Sequence, residues 1–372
     1  MRILIAPDKF KGTLTAPEAA AAIARGWRRV RPGDSLDLLP TSDGGDGFGE
    51  VVGQLLGAKV QTVATCDAAH RPIRARWWLE PKSKTAIIES AGVIGLALLP
   101  PGKFHPFDLD TFGLGAVFQA AAQKGARRCL VGIGGSATND GGFGVARALG
   151  WKFHAADGSM IERWTDLHRL AGVKAPARRR LFKELIIAVD VQNPLLGRRG
   201  ASRVYGPQKG LQPDDLPLAE RNLRRLAKVC EARSRRPSAT TPGTGAAGGL
   251  GFGLGQFLGG KLRPGFELFA RQARLDARLR AADLVITGEG CLDASTLMGK
   301  GVGEIARRCR RLGIPCVGLA GKMADDRRLH RRFTDIFALT EITSEQNAHA
   351  QPAQWLERLA EKAGRRLAAG QI

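Results

Sequence analysis

The stretch LVGIGGSATNDGGFGVARALG, Leu130 to Gly150, joins an apolar run to an Ala/Arg-rich helical pattern through two glycine pairs that bracket Ser-Ala-Thr-Asn-Asp. A strand, a glycine turn and a helix make one βα unit, and its repetition would decide the fold. Glycine in such a turn admits positive φ and close backbone approach, which can serve tight packing alone. It can equally serve an anion: successive backbone N–H groups and a helix N-terminus attract negative charge, and a Cβ would hold it off. Both readings stand on this stretch.

Outward from it, short apolar runs alternate with helical patterns from end to end, which predicts an α/β fold with mainly parallel sheets. RILIAP, SLDLL, TAIIES, RCLVGI, ELIIAVD, DLVITG, PCVGLA and DIFALT are the predicted strands. A helix follows the first, opened by a capping box of Thr15 and Glu18, with Pro17 at an early position that tolerates it. PLAERNLRRLAKVC places Ala219, Leu223, Leu226 and Cys230 on one buried stripe, and the last helix does the same through Trp355, Leu359, Ala363 and Leu367. VQTVATCDAAHRPIRARWWLE breaks the alternation and reads as an antiparallel hairpin turning at Asp67 to His70. RSRRPSATTPGTGAAGGLGFGLGQFLGG is too apolar for a solvated tether and reads as an ordered glycine-rich loop opening a helix.

At 372 residues, 44% hydrophobic and 25% charged, the chain is long enough for two domains with sizeable cores. A net charge of +22 admits two accounts: a footprint for a polyanion, or arginine placed on solvated helix faces. The arginines pair on predicted helix backs, as at Arg224-Arg225, Arg307-Arg308 and Arg310-Arg311, and the chain has one tyrosine, so platforms for base stacking are missing. No nucleic-acid partner is expected. Six cysteines without a C-x-x-C or metal-ligand spacing point to a reducing compartment. No apolar run has the length of a membrane span and the N-terminal run reads as a strand, so a soluble, cytoplasmic protein with no membrane partner is expected.

Ligands of open α/β sheets bind outside the carboxyl ends of the strands. There the sequence puts Asp8, Lys9 and Lys11 after the first strand and Asp43 and Asp46 after the second. Ser136, Thr138, Asn139 and Asp140 follow RCLVGI, Asp190 follows ELIIAV, and Glu289, Asp293 and Lys300 follow DLVITG. One Asp after a strand is commonly a helix N-cap or an Asx-turn, but capping gives no reason for carboxylates at nearly every strand end. The set suits phosphoryl transfer: a backbone cradle, lysines on the moving phosphate, carboxylates for Mg2+ and one to take a hydroxyl proton. Scattered histidines disfavour a zinc hydrolase, the lack of G-x-S-x-G a serine hydrolase, and Gly301 after Lys300 a P-loop. A dinucleotide-dependent oxidoreductase competes, because GIGGSA, Gly132 to Ala137, fits the relaxed G-x-G-x-x-A pattern after a strand, with Asp157 about twenty residues on. GTGAAG, Gly243 to Gly248, fits the strict pattern without a strand before it. Against this rival stands the polar run Thr138 to Gly142 before the helix, which a pyrophosphate does not need.

IAPDKFKGTL, SDGGDG, VGIGGSATNDGGFGVARALG, VDVQNPLLG, GASRVYGPQKG, GTGAAGGLGFGL and ADLVITGEGCLD with GKG resemble, in order and spacing, the signatures of the bacterial type I glycerate kinases, from Arg2 to about Thr343. The resemblance implies ATP-dependent phosphorylation of D-glycerate to 2-phosphoglycerate, with Mg2+. It also implies two α/β domains, a flavodoxin-like one at 66–284 inserted into one formed by 1–65 and 285–372, with the active site in the cleft. Position by position, it carries the acid-x-x-lysine onto Asp8 and Lys11 and G-G-S-A-T-N-D-G-G onto Gly134 to Gly142. D-V-x-N-P-L falls on Asp190 to Leu195, and G-E-G-x-x-D on Gly288 to Asp293. Asp190 is the expected general base, with Asp8 and Lys11 as further catalytic groups. Gly134, Gly135, Ser136, Thr138, Asn139, Gly248, Gly249, Lys300 and Asp43 are expected to contact phosphate, ATP or substrate, and Asp140, Glu289 and Asp293 are candidates for Mg2+. Four departures bear on the acceptor: Lys9 for the usual serine, Phe48 for threonine, Phe112 for a polar or basic residue, and Cys291 for arginine. A kinase of a related small hydroxy acid, or the oxidoreductase, is the alternative. Lys9 is further expected to take over part of the cationic role that Cys291 removes.

Overall fold

The computed structural model describes residues 1–177, 180–232, 238–294, 296–298 and 301–370. Lys300, expected on a phosphate, lies outside the described residues. Among those described, the strands are β1 (Arg2–Ile5), β2 (Ser35–Leu38), β3 (Lys59–Cys66), β4 (Pro72–Glu80), β5 (Thr85–Glu89), β6 (Arg128–Gly132), β7 (Lys152–Ala155), β8 (Leu170–Lys174), β9 (Glu184–Val189), β10 (Lys261–Pro264), β11 (Leu284–Leu292), β12 (Cys316–Met323) and β13 (Asp335–Ala338). The chain divides into two compact units, Met1–Asp43 with Phe266–Ile372, and Gly44–Gly265.

The first unit holds a parallel sheet in the order β2-β1-β11-β12-β13. Counted within the unit this is 2-1-3-4-5, the flavodoxin-like order, in which the winding reverses between β1 and β11. The resemblance implies that topology for the middle of the chain; it belongs to the unit built from the two ends. The reason lies in β1, whose Ile3, Leu4 and Ile5 are buried and paired on both edges, by β2 on one side and DLVITG on the other.

The helix Ala16–Val30 starts at the capping box, with Thr15 and Glu18 each accepting the other's backbone N–H. It packs on Pro352–Ala368 through buried Trp27, Leu356, Leu359 and Ala363. The two backbones come close because a Cβ at Gly26 would land on the Glu357 carbonyl and one at Gly364 would stand 2.7 Å from Val30. Across the same pair, Arg25 and Arg29 reach Glu357 at 2.6 and 2.7 Å, and Arg29 reaches Glu361 at 2.7 Å. On another helix, buried Arg308 joins Glu304, Asp276 and Glu267. Part of the arginine excess therefore ties one helix to the next.

The second unit holds a six-stranded sheet, β3-β4-β5-β6-β9-β10, in which β5, β6, β9 and β10 run parallel and β4 runs antiparallel to both neighbours. The expected hairpin is β3–β4. Asp67 fixes its turn by accepting the backbone N–H groups of Ala69 and Arg71 at 2.9 and 3.0 Å. Gly49 and Gly53 lie against the Trp78 indole of β4, where any Cβ would overlap the ring, so the helix Phe48–Leu55 packs on this sheet. The compact unit accordingly runs from Gly44 to Gly265. Its sheet follows chain order without a reversal. Phe118, Phe143, Phe153, Leu226 and Phe257 pack with Ile88, Val131 and Ile187 in its core. The glycine-rich segment becomes the helix Ala246–Leu258, whose Ala247, Gly248 and Gly249 all have positive φ, at 55°, 66° and 89°.

Candidate functional site

Where the winding of a parallel sheet reverses, a crevice opens at the carboxyl ends of the two adjacent strands. In the first unit these are β1 and β11. Beyond β1 the chain keeps step with its neighbour: the Ala6 N–H donates to the Ile286 carbonyl at 2.7 Å and the Asp8 N–H to the Gly288 carbonyl at 2.8 Å. Asp8 therefore lies alongside Glu289. The Thr41 N–H donates to the Pro7 carbonyl at 2.8 Å, which brings Asp43 to the same edge. Burial, then the charges of Asp43 and Glu289, raise the Asp8 carboxyl from 3.8 to about 7, although the Lys9 N–H donates to it at 2.7 Å.

Glu289 accepts the Thr296 hydroxyl at 2.7 Å, and that hydroxyl accepts the Asp293 N–H at 3.2 Å. Asp293 thus stands one hydroxyl away from Glu289. Half-buried Cys291 turns its thiol to Asp293 at 3.8 Å, and burial followed by that carboxylate raises the thiol above its usual range. Lys11, exposed, lines a pocket with Phe10, Gly290 and Lys322.

In the second unit the loop after β6 is a buried scaffold. Asp140 is fully buried and accepts the Thr111 N–H and hydroxyl at 3.0 and 2.7 Å, the Gly144 N–H at 2.8 Å and the Gly142 N–H at 3.1 Å. Burial, then the charge of Asp110, raise its carboxyl to about 6. Those four donors hold the carboxylate at the start of the helix Phe143–Ala148, so Asp140 braces the loop. Lys209, buried, donates to the Thr138 carbonyl at 2.7 Å, and burial brings its ammonium down to about 7. The Ser136 and Thr138 hydroxyls bond each other at 2.9 Å, and the Asn139 amide donates to the Ser202 hydroxyl at 2.9 Å.

The glycines of this loop answer largely to packing. A Cβ at Gly134 would stand 2.6 Å from the Gly45 Cα, one at Gly142 2.8 Å from the Gly253 Cα, and one at Gly249 2.8 Å from the Gly141 Cα. At Gly248 it would land on the Thr138 carbonyl, and at Gly135 on the Asp46 carboxylate. The plainer of the two sequence readings therefore accounts for most of them. Gly134 is half-buried and Gly135 exposed, while Thr138, Asn139, Gly248 and Gly249 are buried, so an anion would meet the Gly134-Gly135 turn first.

Asp190 is half-buried at the end of β9. The loop beyond it is pinned at Asn193, whose side-chain carbonyl accepts the Tyr205 hydroxyl at 2.6 Å, whose amide donates to the Arg199 carbonyl at 2.8 Å, and whose own carbonyl accepts the Gly245 N–H at 2.9 Å. Phe48 is fully buried, its ring 2.7 Å from where a Gly132 Cβ would stand, so this departure is core packing and not a substrate contact. Phe112 lies between the His70 ring, at 5.7 Å, and the Arg147 guanidinium, at 6.0 Å. Among the described residues, no group of three or more His, Cys, Asp and Glu side chains could hold a metal ion unaided. Thr111, Lys209 and Lys322 were not marked as site residues by the sequence. Lys209 ends the P-Q-K of GASRVYGPQKG, and nothing in its spacing announces burial.

A flavodoxin-order sheet with carboxylates crowding its switch point, and a second α/β unit whose strand ends carry acids and glycine turns, define an α/β enzyme of two units. Residues 3–368 match the model of the glycerate kinase family, and the chain belongs to that family. It is 38% identical over 325 residues to a glycerate kinase of Halalkalibacterium halodurans, covering 86% of this chain and 85% of that one. It is 37% identical over 333 residues to the glycerate 2-kinase of Escherichia coli, covering 88% and 86%. A crystal structure of a Salmonella typhimurium LT2 protein matches with a TM-score of 0.84 at 33% identity, over 100% of this chain and 99% of that one. No helix among the described residues is long and apolar enough to cross a membrane.

Proposed function

We propose that this protein is a glycerate 2-kinase, which moves the γ-phosphoryl group of ATP to the 2-hydroxyl of D-glycerate and releases 2-phosphoglycerate and ADP. The observation that carries the reading is the family match over residues 3–368. Phosphoryl transfer needs positioning, a proton acceptor and charge compensation more than covalent chemistry. Asp190 is assigned to take the hydroxyl proton, its loop held still by Asn193. Lys11 is assigned to the charge of the transferred group, and the Gly134-Gly135 turn to a phosphate.

Asp8, Asp43 and Glu289 fit a Mg2+ that arrives with the nucleotide. Burial, with the charges of Asp43 and Glu289 added to it, holds a proton on Asp8 near neutrality, a cost that a divalent cation relieves, and Mg2+ usually takes one or two carboxylates together with substrate phosphates. When bound, the ion would offset the charge of the phosphates. Asp293, through Thr296, steadies Glu289. Lys9, next to Asp8, is kept as the substitute cation for the arginine that Cys291 replaces. The chain order, in which the two segments of the first unit flank Gly44–Gly265, supports reading Gly44–Gly265 as an inserted domain. Six cysteines, none in a disulfide, support a reducing, cytoplasmic setting.

The test is a coupled assay of ADP release from ATP and Mg2+ with D-glycerate, with the product identified by phosphorus NMR. The expected product carries phosphate on C2. No ADP release with D-glycerate, or phosphate on C3 alone, overturns the assignment.

A further inference from the structure

We infer that the nucleoside end of ATP seats in a pocket of the first unit at the carboxyl ends of β11 and β12, beside the chain that follows β1; the inference rests on the kinase reading above. The pocket has a volume of about 80 Å³. Phe10, Leu339, Ala348 and Pro352 give it an apolar wall, and Lys11 and Lys322 stand on its rim. Along β11 and β12 it is lined by backbone: a Cβ at Gly321 would stand 2.5 Å from the Gly290 carbonyl, so two strands pass here without side chains between them.

The chemistry of this lining separates the two substrates. D-glycerate is a three-carbon acid with hydroxyls on the other carbons, and it gains nothing from an apolar wall. A purine has flat faces that gain from leaving water, and it carries its charge at one end only. The cations lie on the side where that charge has to run, since Lys11 is three residues past Asp8 and Gly290 adjoins Glu289. Lys322 is exposed and paired with exposed Glu345 at 3.9 Å, a loose partnership that a phosphate can displace. The nucleotide would thus lie with its base against Phe10 and Ala348 and its phosphates toward the Asp8, Asp43 and Glu289 carboxylates.

The test uses the full-length protein and ADP as the probe, with binding followed by calorimetry and turnover by the coupled assay. Ala348→Trp fills the pocket, Lys322→Glu reverses one rim charge at an exposed position that the fold does not depend on, and Gln346→Trp puts the same bulk on an exposed neighbour outside the pocket. Ala348→Trp is expected to raise the Kd for ADP and the KM for ATP by at least about tenfold and to leave the KM for glycerate within about twofold. Lys322→Glu is expected to weaken ADP by about three- to tenfold, and Gln346→Trp to change nothing. Unchanged ADP binding in Lys322→Glu and in folded Ala348→Trp, with wild-type turnover of glycerate intact, overturns the pocket and leaves the kinase reading standing. A wild type that binds ADP, loses it in these variants and yet phosphorylates no glycerate overturns the function while the pocket stands.

Discussion

The Asp8 N–H donates to the Gly288 carbonyl three residues past the end of β1, and this one bond sets the Asp8 side chain beside Glu289. A strand-end carboxylate is thereby forced against a like charge at the switch point of the sheet.

That conflict has a sign. An acid whose folded-state pKa lies above its unfolded value holds an extra proton in the folded state, so its contribution to stability falls as pH rises through the interval between the two. For Asp8 the interval runs from 3.8 to about 7. Asp8→Asn should therefore melt above the wild type at pH 8 without added metal, and the gap should close as the pH is taken below about 4. Turnover should drop by about 10² to 10⁴ in the same variant. Thermal melts across pH, paired with the ADP-release assay, check both halves; an Asn variant less stable than wild type at pH 8 would show that neither burial nor the neighbouring carboxylates penalise ionised Asp8.

Asp190→Asn keeps the shape of the side chain and removes the proton acceptor. kcat should fall by about 10² to 10⁴ with the Kd for ADP little changed. Near-normal turnover would move the general base elsewhere, and Asp8 would be the next group to examine.

Asp140 and Glu289 should separate cleanly. Asp140→Ala leaves the buried donors of Thr111, Gly142 and Gly144 without an acceptor and should cost about 2–4 kcal/mol of stability. The Mg2+ concentration for half-maximal activity should stay where it was. Glu289→Gln should do the reverse, raising the Mg2+ requirement with little loss of stability. Urea unfolding and a Mg2+ titration decide it, and a shifted Mg2+ requirement in Asp140→Ala would return that residue to the metal.

Gly248 tests packing against simple conformational strain. Gly248→Ala combines a φ of +66° with a methyl group on the Thr138 carbonyl, whereas Gly57→Ala has a φ of +63° with nothing within 4 Å. The second substitution should cost about 1–2 kcal/mol, the left-handed penalty alone. The first should cost at least about 3 kcal/mol or yield no soluble protein. Equal losses in urea melts would mean that the loop yields easily and its glycines are not needed for close approach.

Much of this was written locally. Ile3-Leu4-Ile5 and most of the other apolar runs read as strands because they are buried along a sheet, the exposed β2 being the exception, and Thr15 with Glu18 encodes a helix start within four residues. The strand-end rule also brought Asp8, Asp43 and Glu289 into view. The β7–β8 ribbon escaped because KFHA and LAGVK are short and only partly buried. The sequence alone does not show which unit carries the flavodoxin order, because the pairing of β1 with β11 joins residues about 281 positions apart, and neither strand names its partner. The two readings of the glycine loop could not be parted for the same reason. Whether Gly142 makes room for an anion or for Gly253 depends on a helix more than a hundred residues on, and whether Asp140 binds metal or braces a loop depends on Thr111.

A sheet stitched from both ends of a chain also has a history during synthesis. Gly44–Gly265 is contiguous and can complete its own sheet while the ribosome is still at work, since domains generally fold as units as they emerge. β1, made first, has only β2 beside it until DLVITG leaves the tunnel, and in that interval its Ile3-Leu4-Ile5 edge is open to any other nascent strand. The unit carrying the carboxylate edge is thus the last to form and the slowest by topology. A chaperone that shields the first five residues would protect the enzyme more than one acting anywhere later in the chain.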